Sequence, residues 1–205
     1  MNQETAFRAV LGIGFLGVLM ITLYHRVRSW ASKEELDRRQ EGLFILATLR
    51  PVGLLLWLGV IAYLINPAWM GWSSVPLPIW LRWTGIVVYA LGLGLLTWTL
   101  RDLGTNLTDT VVTRRAHTLV THGPYRWVRH PFYDAMALLI LAIALIAANW
   151  FILVTGAVVF ALLAARSQIE EAKLLARFGE VYRTYLDSTG RFVPKLRPTN
   201  RSAGR

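Results

Sequence analysis

The residues best suited to chemistry fall in two short stretches. The first is 117–133, His-Thr-Leu-Val-Thr-His-Gly-Pro-Tyr-Arg-Trp-Val-Arg-His-Pro-Phe-Tyr. Gly123-Pro124 and His130-Pro131 are turn dipeptides that fix the backbone and bias the preceding residues to extended forms. Non-helical backbone at a membrane face leaves N–H and C=O groups free for a ligand. Tyr125, His130 and Tyr133 add flat faces with hydrogen-bonding tips, suited to an adenine ring. The same stretch also reads as an amphipathic interfacial loop, with Arg126 and Arg129 on lipid phosphates. The second stretch is Arg166, Glu170 and Glu171, directly after the last apolar run. Arg166 and Glu170 are four apart and share a helical face, which Lys173 and Arg177 continue. A carboxylate there can hold an amine or a ribose, and a guanidinium an anionic group. The alternative is a solvated helix with i,i+4 ion pairs, each worth a few tenths of a kcal/mol. Arg before Glu is the less favourable order for such a pair, which weakens the purely structural account.

Other chemistries are excluded or lack support. The chain has no cysteine, which removes disulfides, thiolate nucleophiles and Cys-ligated metals. No metal site is expected: His117 and His130 have no His-Glu-x-x-His or comparable pattern around them. His25 and His122 read as interfacial and solvated. Arg50, inside an apolar segment beside Pro51, is either a functional intramembrane charge or a residue snorkelling to the interface. The glycines at 12, 14, 17, 92 and 94 look like helix-packing positions.

The elements that must position these residues are apolar. Of 205 residues 55% are hydrophobic and 17% charged, with a mean hydropathy of +0.44. No charge occurs in 52–81 or in 135–165. Runs of that length belong in lipid, where a spanning helix takes about 20 residues. Apolar segments are expected at about 6–24, 43–65 and 79–100. The 31-residue run 135–165 would be about 46 Å as one helix, against a hydrocarbon core of about 30 Å. Asn149-Trp150 near its middle predicts a tight turn between two helices that draw on flanking residues or tilt. The expectation is an all-α integral membrane protein with five transmembrane helices, the last two a hairpin. It forms one domain: three N-terminal helices over 1–100, a half bearing the polar chemistry over 101–194 and a basic tail over 195–205.

Charge orients it. The net charge is +10. Residues 25–41 and 101–131 carry five Lys or Arg each, and the tail from Arg166 nine. Loops 66–78 and 149–150 carry none. By the positive-inside rule the N-terminus lies outside, and the C-terminus with the chemical segments lies in the cytosol. Trp69, Trp72, Trp80 and Trp83 form an aromatic belt at the outer boundary. The basic excess then meets anionic lipid; no nucleic-acid motif is present and no nucleic-acid partner is expected.

Several spaced elements form one ordered pattern: Gly123-Pro124-Tyr125, Arg129-His130-Pro131-x-Tyr133, Glu170-Glu171, Phe178-Gly179, Tyr182, Tyr185 and Phe192-Val193-Pro194. Leu103-Gly104-x-Asn106 and His117-x-Leu119-Val120 lie upstream. The pattern resembles the isoprenylcysteine carboxyl methyltransferase family and its relatives, the phospholipid N-methyltransferases, over about residues 101–194. The resemblance implies a cytosol-facing site for S-adenosyl-L-methionine. His117, Thr118, Leu119 and Val120 would line the adenosine; Tyr125, His130, Pro131, Phe132 and Tyr133 would complete that pocket. Glu170 would hold the methionine amino group or ribose. Arg166 would face the methyl acceptor, a lipophilic small molecule or lipidated substrate, as a catalytic and substrate-binding residue. Glu171 is the nearest base should the acceptor be an amine. The implied activity is carboxyl O-methyl transfer of the isoprenylcysteine type. A phospholipid-amine N-methyltransferase, an NADPH-dependent sterol-reductase-like enzyme and a non-enzymatic membrane scaffold are the alternatives. One departure stands out: Asp134-Ala135 follows Tyr133, where the family usually has glycine at the second position. Asp134 is expected to cap the helix that follows.

Overall fold

The computed structural model describes residues 2–30, 45–104 and 118–195. His117 falls outside them. The described residues form six α-helices: α1 (Gln3–Trp30), α2 (Arg50–Ile65), α3 (Ile79–Leu103), α4 (Pro131–Ala147), α5 (Trp150–Phe178) and α6 (Glu180–Ser188). A π-helical turn (Ile45–Leu49) leads into α2, and 3-10 turns occupy Pro67–Ser73 and Gly123–Arg126. The protein is an all-helical integral membrane protein. α1, α3, α5 and the segment Ala47–Ile65 are long and apolar enough to cross a bilayer. α4 is shorter, with 17 residues and a length of about 26 Å. Length and composition thus give four crossings, and five is not confirmed by them.

The break in the long apolar run falls where expected. Ala148 ends α4 in the left-handed conformation (φ 47°, ψ 54°), and Asn149 opens α5, its Oδ1 accepting from Ile152 N–H at 3.1 Å. Both helices borrow from their flanks: α4 begins at Pro131 and α5 runs to Phe178. Proline at N1 suits a helix start, since its missing N–H would be unpaired there. Gly179 stops α5 with φ +56°, and its N–H reaches Leu175 O at 2.9 Å. Asp134 is not the cap of α4. His130 holds that position without a side-chain cap, and Asp134 lies in the first turn.

α4 is the central helix. Ala135, Leu139, Ala142, Ile143 and Ile146 are all buried. A helix apolar on every side belongs inside a bundle. α3 lies antiparallel along it, and glycines set the distance. A Cβ on Gly85 would come within 3.0 Å of Ile146 and Leu145, and one on Gly92 within 3.1 Å of Leu139. Close backbone approach through small residues is how membrane helices gain packing energy. Gly94, expected to do the same, meets nothing within 4 Å. α1 turns Ile13, Leu16 and Met20 outward, as lipid contact requires.

Two arginines tie the bundle at the end where α1 and α3 begin. Arg82 pairs with Glu4 at 2.8 Å, donates to Ile146 O at 2.7 and 2.9 Å, and lies over the Phe7 ring. Tyr63 O–H donates to Glu4 at 2.6 Å. Arg8 donates to Leu64 O and Ile65 O, both at 2.6 Å. The last carbonyls of a helix have no partner within it. Arg82 and Arg8 supply one to α4 and α2. At the same end Asn149 Nδ2 donates to Ser73 Oγ at 2.8 Å, and Val75 N–H to Ala148 O at 2.8 Å. The 66–78 loop is thereby pinned to the hairpin turn. Trp69, Trp72, Trp80 and Trp83 are exposed around this end.

Candidate functional site

The opposite end gathers the polar residues of the C-terminal half. The chain approaches it through the Gly123–Arg126 turn. Gly123 has φ +58°, and a Cβ there would collide with the Asp102 carboxylate, so only glycine fits. The turn buries Tyr125, whose carbonyl accepts from Tyr185 O–H at 2.6 Å. Burial, then the neighbouring Tyr185, Glu170 and Asp102, push the Tyr125 phenol well above its ordinary value. It is a neutral ring and hydrogen-bonding group at any physiological pH.

His130 and Tyr133 follow at the start of α4. Their rings stack with centroids 5.3 Å apart and planes within 5°. Phe192 packs on His130 at 5.7 Å and on Phe160 at 5.7 Å. Pro131 is fully buried, and Phe132 packs partly buried against the core with its ring edge-on to Tyr133.

Glu170 and Glu171, adjacent on α5, meet this pair in different ways. Glu171 is taken up completely. Its Oε1 lies 2.9 Å from Arg129 Nε, 3.1 Å from His130 Nε2 and 3.1 Å from Arg191 Nε; its Oε2 accepts from Arg191 Nη2 at 2.5 Å. The Glu171 hydrogen bond raises Arg191 above its ordinary value, so this guanidinium is always charged. Glu170 directs only Oε1 into close contacts. That oxygen accepts from Tyr133 O–H at 2.8 Å and pairs with Arg166 Nε at 3.1 Å. Oε2 has a 3.7 Å approach from His130 Nδ1 and nothing nearer among the described residues. The free lone pairs of Glu170 are the cluster's open acceptor.

The chain after α6 locks the cluster. Arg129 N–H donates to Gly190 O at 2.8 Å, and His130 N–H to Arg191 O at 3.1 Å. The Arg129 guanidinium also donates to Thr189 O and, at 3.3 Å, to Leu186 O. Arg129 is therefore turned inward, and only Arg126 remains exposed for lipid phosphate. Burial pushes the Tyr182 and Tyr185 phenols up, so α6 packs as a neutral face under this strap.

The structure thus brings together His130, Tyr133, Arg166, Glu170 and Glu171, with Tyr125 beside them. Thr118 is exposed and Leu119 and Val120 are half-buried in the segment that leads to the turn. Expectations for His25 and His122 divide: His122 is exposed, whereas His25 is buried at 9% exposure against the Tyr24 ring. Arg50 begins α2 and is exposed. Sequence reasoning missed Arg191, and placed Arg129 on lipid phosphate in one of its two readings of the stretch. Arg129 stands inside the Arg-His-Pro-x-Tyr motif, a signal for an inward role. Arg191 carries no comparable local signal, because its partner is 20 residues away on α5.

The phospholipid methyltransferase family model matches residues 80–181, from the start of α3 to the start of α6. The chain is similar to the isoprenylcysteine carboxyl methyltransferases. A protein-S-isoprenylcysteine O-methyltransferase of Tribolium castaneum is 31% identical over 128 residues, covering 56% of this chain and 42% of that relative. A solved eukaryotic intramembrane Ras methyltransferase, isoprenylcysteine carboxyl methyltransferase, superposes with a TM-score of 0.53 at 24% identity, covering 88% of this chain and 66% of that one. The chain therefore spans less than half the length of the curated relative. The solved structure shares the fold.

Proposed function

We propose that this protein transfers a methyl group from S-adenosyl-L-methionine to a lipophilic acceptor at the membrane. The observation that carries the reading is Glu170: a carboxylate fixed through one oxygen by Tyr133 and Arg166, with the other oxygen open beside a stacked ring pair. The donor set fits this cofactor. An ammonium needs a carboxylate acceptor, which Glu170 Oε2 offers. An adenine needs flat faces and hydrogen-bonding edges, which Tyr125, His130 and Tyr133 offer. Thr118, Leu119 and Val120, with His117 before them, are the proposed adenosine side.

The cofactor would supply an electrophilic methyl group. Catalysis then rests on aligning the acceptor and removing water from its nucleophilic atom. A carboxylate acceptor needs no base, and Arg166 is the residue we assign to orient it. We assign Glu171 a positioning role in place of the base expected for an amine. Its oxygens are spent on Arg129, His130 and Arg191, which leaves no lone pair aimed at a substrate. It holds His130, and through Arg191 the 189–195 strap, in place. The acceptor class we favour is an isoprenylcysteine-type carboxylate. The family match over 80–181 favours a phospholipid amine as the second reading. The site end of the bundle faces the cytosol in this proposal, following the distribution of Lys and Arg.

Calorimetry of S-adenosyl-L-methionine binding to detergent-purified protein tests the reading, with Glu170→Ala beside wild type. Binding that the substitution abolishes supports it. Well-folded wild type that does not bind overturns it. Label transfer into lipid extracts then separates a methyl ester, which is base-labile, from a methylamine, which is not.

A further inference from the structure

A second carboxylate stands over the Gly123–Arg126 turn, and its own helix gains nothing from it. Asp102 lies in the last turn of α3, which ends at Leu103. A helix C-terminus carries partial negative charge, so an acid there is disfavoured. Asp102 is also half-buried. Among the described residues no ion pair includes it. The turn is built around it all the same. The carboxylate lies so close to the Gly123 backbone that a Cβ there would collide with it. Position 123 thus gives up a side chain to admit an acid that neither ends its helix well nor pairs with a cation. Local rules are broken in this way where a residue serves a ligand.

Tyr125 feels two carboxylates, Glu170 from α5 and Asp102 from α3. They belong to different parts of the site. Glu170 is fixed by Tyr133 on α4 and Arg166 on α5. Asp102 stands over the turn that Thr118, Leu119 and Val120 lead into, and these three are the proposed adenosine side. Trp98 Nε1 lies 3.2 Å from the position a Gly123 Cβ would take, so an indole N–H borders the same spot. In S-adenosyl-L-methionine the ribose joins the adenine to the methionine arm and carries two neighbouring hydroxyls. A carboxylate can accept from both, in charge-assisted O–H···O bonds, and acidic residues hold ribose in this way in nucleotide sites. We propose that Asp102 binds the ribose hydroxyls of S-adenosyl-L-methionine, which leaves Glu170 to the methionine ammonium. The assignment rests on the cofactor reading of the proposed function and divides its two charged ends between two helices.

Calorimetry on full-length protein in detergent tests it with three ligands: S-adenosyl-L-methionine, S-adenosyl-L-homocysteine, and the 2′,3′-dideoxy analogue of the latter. Asp102→Asn should weaken the first two alike, by roughly tenfold, the worth of one charge-assisted hydrogen bond. Wild type should bind the dideoxy analogue more weakly than its parent, and Asp102→Ala should lose little further when the hydroxyls are removed. The unfolding temperature of either variant should hold or rise slightly, because the end of α3 sheds an unfavourable charge. Asp187→Asn, the same charge change at an exposed position on α6, should leave affinity intact. A loss for S-adenosyl-L-methionine with none for S-adenosyl-L-homocysteine would move Asp102 to the sulfonium and overturn the ribose assignment. So would wild-type affinity in Asp102→Asn, or a dideoxy penalty as large in Asp102→Ala as in wild type. A matching fall in unfolding temperature would make Asp102 a packing residue. Wild type that binds neither natural ligand overturns the cofactor reading itself, and the assignment with it. Wild type that binds both beside an unaffected Asp102→Asn overturns the assignment alone.

Discussion

Each end of the bundle is tied by arginine on glutamate, and the two ties differ in what they leave over. At the tryptophan end, Arg82 spends its donors on Glu4, Tyr63 and the Ile146 carbonyl, and Glu4 spends its oxygens on Arg82 and Tyr63. The cluster is closed and ends helices that would otherwise present bare carbonyls to lipid. At the other end, Glu171 is closed in the same sense, but Glu170 beside it is not. Adjacent residues on one helix thus divide the work. One carboxylate holds the framework, and the other keeps an oxygen for a ligand. A saturated buried network is a strut, and an incompletely saturated one beside aromatic faces is a site.

That division can be broken from either side. The largest effect is expected at Glu171. Glu171→Ala leaves the buried Arg129 guanidinium without its carboxylate, while the more exposed Arg191 recovers part of its loss in water; removal of one partner from a buried ion pair costs about 3–5 kcal/mol. Thermal unfolding in detergent should show a fall of many degrees, or no folded protein at all. Unchanged stability would mean that the Arg129–Glu171–Arg191 lock is not what holds the strap. Arg82→Met should come next, at about 3 kcal/mol, since Glu4 is more exposed than Glu171 and water can recover part of its loss. Molecules that still fold should bind S-adenosyl-L-methionine as wild type does, because the clasp is at the far end. Weaker binding by folded Arg82→Met would erase the contrast between the ends. Glu170→Gln should do the reverse. It keeps the volume and the Tyr133 contact, so stability should shift by less than about 1 kcal/mol. Cofactor affinity should fall roughly ten- to a hundredfold with the lost charge. A Glu170→Gln protein that unfolds early yet binds normally would make Glu170 a second strut.

The same contrast governs how far the sequence could be read. The helices were legible because lipid imposes long apolar runs, and the α4–α5 turn because 31 uncharged residues are too long for one crossing. Tyr133, Glu170 and Arg166 were legible because motif spacing places them on known faces of α4 and α5. The struts were not. Arg82, Glu4 and Tyr63 meet across 19 to 78 residues, and nothing local in Leu-Arg-Trp predicts a bond to the Ile146 carbonyl. Arg191 and Glu171 are a second such case. Periodicity reports which face of a helix is wet or dry, whereas an arginine's partner is set by how helices pack. Gly85, unlike Gly92, also escaped notice, for the same reason: its partner is the far end of α4.

The smallest effect sharpens the contrast without touching any polar group. Ala148 holds φ 47° at the hairpin turn, a conformation that costs a residue with a Cβ roughly 1 kcal/mol. Ala148→Gly removes that strain, while its N–H still reaches Leu145 O and its carbonyl still accepts from Val75. Glycine also loses more freedom on folding, which offsets part of the gain. The net expectation is a gain of about 0.5 kcal/mol in unfolding free energy, read as a small rise in melting temperature. The turn sits at the closed end, so cofactor affinity should not move. A stabilised variant with altered affinity would show that the closed end is coupled to the site through α4 and α5, and that the two ends are one device.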